Sequence, residues 1–346
     1  VEALAVKEAA KRGTFGQATA TRLLALLLIV VLCGCRSQPG LLPTLPWEGE
    51  EPPTPAIRQS VEYEVQETLT VVNQGAGKPS KQNLWVALLR DLPPYQTVQS
   101  MQITPRDYQP ITDEYGNHYA EFDLSDMAPG ETVQIQIEYR VSVHEPTYDL
   151  ADCTGAVPDG FTKAELHVES DNAQIVALSG ELSAGKDTAC EQVRAFYDYV
   201  GNNLVYSYNG QDWGAQAALG EMGADCTEYA SLMMALSRAA GIPARYLEGL
   251  WAGGETGQQD ARTEHAWMEV YLPGVGWTPM DPTLGRSSIG REEYFAHLPP
   301  DHIVVTVGRH PSTLRGASYF THLYWPGTST DIRVEGFEWE ITSANQ

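Results

Sequence analysis

From Val133 to Val143 the chain alternates without interruption. Val133, Ile135, Ile137, Tyr139, Val141 and Val143 are apolar or aromatic, and Gln134, Gln136, Glu138 and Arg140 stand between them. A period of two suits a half-buried strand and is of no use to a helix. Val61, Tyr63 and Val65 open a similar run, and Leu84 to Leu89 is continuously apolar, the pattern of a strand buried on both faces. Ile111 to Phe122 is broken by Asp113-Glu114-Tyr115-Gly116-Asn117, a hairpin-turn composition. No helical period of useful length interrupts this stretch, so residues 60–148 are predicted to form a small antiparallel β-sandwich.

After Pro146 the pattern changes. Ala164-Glu165-Leu166-His167-Val168 reads as a strand, and a helix is expected from Asp187 or Thr188, either of which can cap it. Ala189, Val193, Phe196, Tyr197 and Val200 follow at helical spacing. A second helix begins near Cys226, carries Ala230, Met233, Met234 and Leu236, and stops at Gly241-Ile242-Pro243. Strands are then predicted at Tyr246–Trp251, His265–Leu272, Trp277–Met280, Ile303–Val307 and Ile332–Ile341. Helices first and strands later is an α+β order, here a domain over residues 149–346. The chain's 346 residues leave room for both domains to bury a core.

The first 59 residues carry different information. Lys7, Lys11, Arg12 and Arg22 precede ten apolar residues, Leu23 to Leu32. Ten residues rise only ~15 Å as a helix, about half a bilayer's hydrocarbon core, so the run suits an export signal over residues 1–34 and not a spanning anchor. Leu32-Cys33-Gly34-Cys35 resembles a bacterial lipobox, which implies that Cys35 is lipidated as the first mature residue; a plain secretory signal cut nearby is the alternative. Residues 35–59 hold Pro39, Pro43, Pro46, Pro52, Pro53 and Pro55 and read as a semi-rigid tether. The expected location is extracytoplasmic, with a lipid anchor as the membrane contact. The chain carries 22 Lys plus Arg against 45 Asp plus Glu, a formal net charge of -23. It has no basic cluster to release counterions from a polyphosphate, which excludes nucleic acid as a leading partner.

The chemistry-bearing residues lie in the second domain. Asp225-Cys226-Thr227 puts a cysteine at a helix N-terminus, where free N–H groups and the helix dipole favour thiolate over thiol. His265 starts one predicted strand and Asp281 ends the next. An imidazole and a carboxylate on neighbouring strands can meet at the sheet end, the carboxylate fixing the ring's tautomer while the other nitrogen faces the sulfur. Singly these residues are commonplace; their surroundings are specific. Gly223-Ala224-Asp225-Cys226-Thr227-Glu228-Tyr229-Ala230, Arg238-Ala239-Ala240-Gly241-Ile242-Pro243-Ala244-Arg245, His265-Ala266-Trp267 and Gly276-Trp277-Thr278-Pro279-Met280-Asp281-Pro282-Thr283 together resemble the transglutaminase-like superfamily. The resemblance is dense over residues 226–283. It implies a papain-like transglutaminase core, with helices packed on an antiparallel sheet, and a Cys-His-Asp triad of Cys226, His265 and Asp281. Ala224 departs from the family's glycine at that place. Relatives take a second oxyanion donor from a Trp or Gln side chain, so Trp213, Gln211 and Gln216 are candidates, each with core or surface packing as the alternative. Arg245, after Gly-Ile-Pro, is expected in a structural salt bridge. Trp251, Trp267 and Trp277 either line an acyl groove or fill the core, and the polar loop Gly253–Glu264 could gate the cleft.

Of the five cysteines, Cys33 leaves with the signal, Cys35 takes lipid and Cys226 must stay free. Cys153 and Cys190 are left either to pair as a disulfide in an oxidising compartment or, for Cys190, to sit buried on a helix stripe. There is no Cys-x-x-Cys or His-Glu-x-x-His, and His297 and His302, five apart, have weak ligand spacing, so the reading includes no metal and no cofactor. A protein or peptide substrate is expected, attacked through a Cys226 thioester. Hydrolysis is slightly favoured over acyl transfer to an amine, and a non-catalytic binding module of the same fold is the remaining reading.

Overall fold

In this computed structural model the described residues are 52–344, apart from 152, 211, 221–222, 254–263, 315–321 and 327–330. The export signal, Cys35, most of the proline-rich tether, Gln211 and most of the loop before His265 lie outside them.

Among the described residues six strands come first: β1 (Ala56–Asn73), β2 (Gln82–Leu88), β3 (Gln96–Thr104), β4 (Gln109–Thr112), β5 (His118–Asp123) and β6 (Thr132–Thr147). The alternating run is β6, whose Ile135, Ile137, Tyr139, Val141 and Val143 are all buried against the inward residues of β1. β2 is buried throughout except at Asn83, and the Asp113–Asn117 turn joins β4 to β5. Four helices follow, α1 (Ala173–Ser183), α2 (Ala189–Asn203), α3 (Gly214–Ala218) and α4 (Cys226–Ala239). Then come β7 (Ala244–Trp251), β8 (Glu264–Leu272), β9 (Gly276–Met280), β10 (His302–Val307), β11 (His322–Pro326) and β12 (Ile332–Ser343).

The strands form three antiparallel sheets, ordered β12-β1-β6-β3, β11-β2-β5-β4 and β10-β7-β8-β9. The first two share one core and make the sandwich. β11 and β12, which lie within the predicted second domain, hydrogen-bond into the sandwich sheets on β2 and β1. The helical part and third sheet are thus inserted between strands of the sandwich. That third sheet is covered on both sides. Ala266, Met268 and Val270 pack with the buried side chains of α4, while Leu250, Ile303 and Val305 enter the sandwich core. Polar contacts finish the seam. The side-chain amide of Gln96 donates to Val304 O at 2.9 Å and accepts from Val304 N at 2.8 Å; Asn117 does the same for Val307, at 2.8 and 2.9 Å. Two amide side chains therefore stand in for the strand that β10 lacks on its outer edge.

Thr188, not Asp187, caps α2, in a box with Glu191. Residues 164–168 are a turn closed by a Glu165–Val168 bridge, not a strand, because His167 has φ 67° and leaves Leu166 exposed. Cys153 and Cys190 form a disulfide that ties the segment before α1 to the first turn of α2.

Candidate active site

α4 is buried on every face from Glu228 to Arg238, so its axis is fixed by packing on all sides. Its N-terminus is fixed by a capping box. Asp225 accepts from Thr227 N at 3.1 Å, and Glu228 returns to accept from Asp225 N at 2.9 Å. Cys226 is therefore the first helical residue, whose own N–H has no partner inside the helix and whose sulfur sits at the positive end of the dipole. The turn into the helix takes its positive φ at Gly223, 74°, one place before Ala224, so the departure at Ala224 costs the backbone nothing.

Glu228 also organises the approach. Its carboxylate accepts from Trp213 N at 2.8 Å and Asn209 Nδ2 at 3.1 Å, fastening both residues to the first turn of α4. Burial raises the Glu228 pKa against these bonds. Trp213 is thereby held at the first turn of α4 with 40% of its surface exposed. Gln216 is different: it lies on α3 with an exposed side chain, and its backbone N–H donates to Glu169 at 3.0 Å.

His265 and Asp281 meet as the strand order requires. His265 Nε2 lies 2.6 Å from Asp281 Oδ2, and since an ionised carboxylate only accepts, the nitrogen carries the proton. The His265 side chain also hydrogen-bonds Cys226, which leaves Nδ1 for the sulfur. Asp281 Oδ1 accepts from Thr283 N at 2.8 Å and Leu284 N at 2.9 Å. Burial alone would lower the His265 pKa; the Asp281 charge and the Cys226 sulfur outweigh it and raise it to about 9. Burial likewise works against the Asp281 carboxylate, but His265 and His302 hold its pKa well below the carboxylate range. Trp267 stacks on the His265 ring at 5.8 Å and Trp251 lies 6.5 Å from it. Trp277 packs instead on Phe161 and Tyr271, under Arg245, which pairs with Glu269. The three tryptophans thus share no common wall.

One member of this cluster was not legible as such in the sequence. His302 Nε2 lies 3.3 Å from the same Asp281 oxygen, and its Nδ1 lies 2.6 Å from Asp301 Oδ1. His297, its sequence neighbour, turns away to Glu145 and the Glu293 carbonyl. His265, Asp281 and His302 offer three donor atoms within 4.8 Å of one another, the one such grouping among the described residues. Each imidazole already engages Asp281 by a hydrogen bond.

Comparison with known proteins agrees with this geometry. Residues 176–282 match the family described as the transglutaminase-like superfamily. The chain is similar to an uncharacterized protein, YebA, of Bacillus subtilis, at 26% identity over 172 residues, 42% of this chain and 23% of that one. It is also similar to a protein-glutamine gamma-glutamyltransferase of Pseudomonas aeruginosa, at 37% identity over 94 residues, 21% of this chain and 14% of that one. The chain therefore spans less than a quarter of either relative. The crystal structure of a candidate cysteine protease from Cytophaga hutchinsonii superposes with a TM-score of 0.62 at 17% identity, over 84% of this chain and 93% of that one, a likeness of fold. A capped helix with cysteine at its first position, a sheet packed across it and the match over that same stretch lead to one assignment: residues 176–282 of this chain are a transglutaminase-like domain.

Proposed function

We propose that the protein is an exported thiol enzyme that cleaves amide or peptide bonds through a thioester on Cys226. The observation that carries this reading is the line Cys226–His265–Asp281, with the 2.6 Å bond fixing the imidazole between sulfur and carboxylate. The Cys226 thiolate attacks the carbonyl carbon, and the negative oxygen turns to the Cys226 N–H, with Trp213 the better placed of the described second donors. The His265 imidazolium gives its proton to the departing amine as the C–N bond breaks, leaving an acyl thioester and a neutral imidazole. His265 then takes a proton from water, whose oxygen displaces the sulfur and releases the acid.

Hydrolysis is favoured over transfer because Cys226 is only partly covered and the tryptophans converge on no dry channel that would exclude water. Partitioning tests this. The enzyme is acylated with a glutamine- or peptide-derived substrate, a primary amine is added, and acid and amide products are compared by mass spectrometry. Acid is expected to dominate. Mostly amide at millimolar amine would assign acyl transfer to the same triad, and no thiol-dependent acylation would leave a binding module. The proposal includes a lipid anchor at Cys35, so Cys35→Ala is expected to release the protein from the membrane fraction.

A further inference from the structure

Asp281 serves two imidazoles. His302, at the start of β10 opposite Trp251 of β7, is 3% exposed and approaches Asp281 Oδ2 at 3.3 Å while His265 approaches it at 2.6 Å. Its other nitrogen faces Asp301 Oδ1 at 2.6 Å. Both neighbours are acceptors only, so a neutral ring would aim one lone pair at a carboxylate oxygen; the geometry requires both ring protons. The result is a line of hydrogen-bonded groups, Asp301, His302, Asp281, His265 and Cys226, in which His302 is a cation whose two ring nitrogens are both taken by carboxylates. Trp251 Nε1 bonds the second Asp301 oxygen at 3.2 Å, fixing the far end.

Resting on the reading of Cys226 as nucleophile, we propose that His302 is a positioning residue of this site. By sharing the Asp281 carboxylate, it fixes Oδ2 as the acceptor for the His265 Nε2–H and so keeps the other ring nitrogen toward Cys226. Without His302 the carboxylate would keep Oδ1 on its two backbone amides but lose the second hold on Oδ2, so His265 would be placed less firmly for the sulfur. The titratable groups around His302 are Asp281, Asp301 and His265, with the Tyr294 ring 6.0 Å away and Tyr63 beyond Asp301, bonded to Pro300 O. Burial would lower the His302 pKa, but its two carboxylates raise it to about 9. Loss of its charge therefore belongs to the alkaline side of any profile.

The test is the rate of Cys226 alkylation by iodoacetamide from about pH 5 to 10, which needs no substrate. His302→Ala is expected to slow alkylation at neutral pH by about fivefold or more and to shift the profile, the size of effect seen when an outer hydrogen-bond partner is removed. His302→Gln, which keeps a donor near the Nε2 position without titrating, is expected to recover the neutral rate but not the alkaline part of the profile. On an Asp281→Asn background His302→Ala is expected to add nothing, because the effect runs through Asp281. Unchanged rate and profile in folded His302→Ala, or full additivity with Asp281→Asn, would overturn the proposal. If the alanine variant does not fold, an unchanged alkaline limb in His302→Gln does so. Normal alkylation in a wild-type protein that turns over no amide would overturn the enzyme reading and leave this one standing.

Discussion

Asp281 places four hydrogen bonds on two oxygens, and the division matters. Two backbone amides hold Oδ1 in place, so Oδ2 presents a fixed lone pair to His265. Asp281→Asn would put an amide where Nε2–H now donates and turn the imidazole to the wrong tautomer. Turnover is expected to fall by at least about a hundredfold with the fold retained, checked by kinetics beside circular dichroism. His265→Ala is expected to slow iodoacetamide labelling of Cys226 at neutral pH; equal rates would remove His265 from the nucleophile's support. The raised His265 pKa also has a thermodynamic sign. Its folded value, about 9, lies above the unfolded 6.5, so the stabilisation is complete below about pH 6.5 and is lost as pH rises through 9. Thermal unfolding of wild type against His265→Gln over that window is expected to show the wild type losing its advantage. Cys226, His265 and Asp281 were proposed from the sequence because each falls at the end of a predicted element and the motifs around them resemble the transglutaminase-like superfamily. His302 was not, because its partner lies 21 residues away across two strands, and no local period encodes that meeting.

Elements announced themselves where periodicity was long. α4 and β8 were placed within a residue or two, and β6 and α2 at their starts, since each carries a long apolar pattern, while β6 runs on to Thr147 and α2 to Asn203. α1 was missed: Ile175 and Ser179 are its buried residues, a stripe too thin to separate from loop. The 164–168 segment failed for the opposite reason, since alternation was present but His167 adopts a left-handed backbone. The seam at β10 was equally hidden, because Gln96 and Asn117 act as hydrogen-bond partners through their side chains at separations of 208 and 190 residues. Gln96→Ala would leave both Val304 N and Val304 O buried without partners. A loss of about 1–3 kcal/mol is expected, read from denaturant unfolding. Gln96→Glu should also be costly, since a carboxylate can accept from Val304 N but cannot donate to Val304 O.

At the scale of the molecule, the sandwich was legible in its first six strands, and its completion was not. β12 pairs with β1 from Tyr63↔Ser343 to Asn73↔Ile332, and β11 pairs with β2. A chain ending after Leu314 would keep the triad but leave the edges of β1 and β2 bare. Such a truncation is expected to aggregate, which size-exclusion chromatography would show, whereas a self-sufficient catalytic part would elute as a monomer. The pairing also imposes an order in time on a chain delivered from one end. Residues 56–73 must wait for residues 332–343, a contact of high sequence separation and slow closure. Until that late arrival the support beneath Leu250, Ile303 and Val305 is unfinished. A partly delivered chain can hold the nucleophile's helix and still lack a settled floor for the histidine's sheet. Completion of that floor therefore belongs to the arrival of residues 332–343.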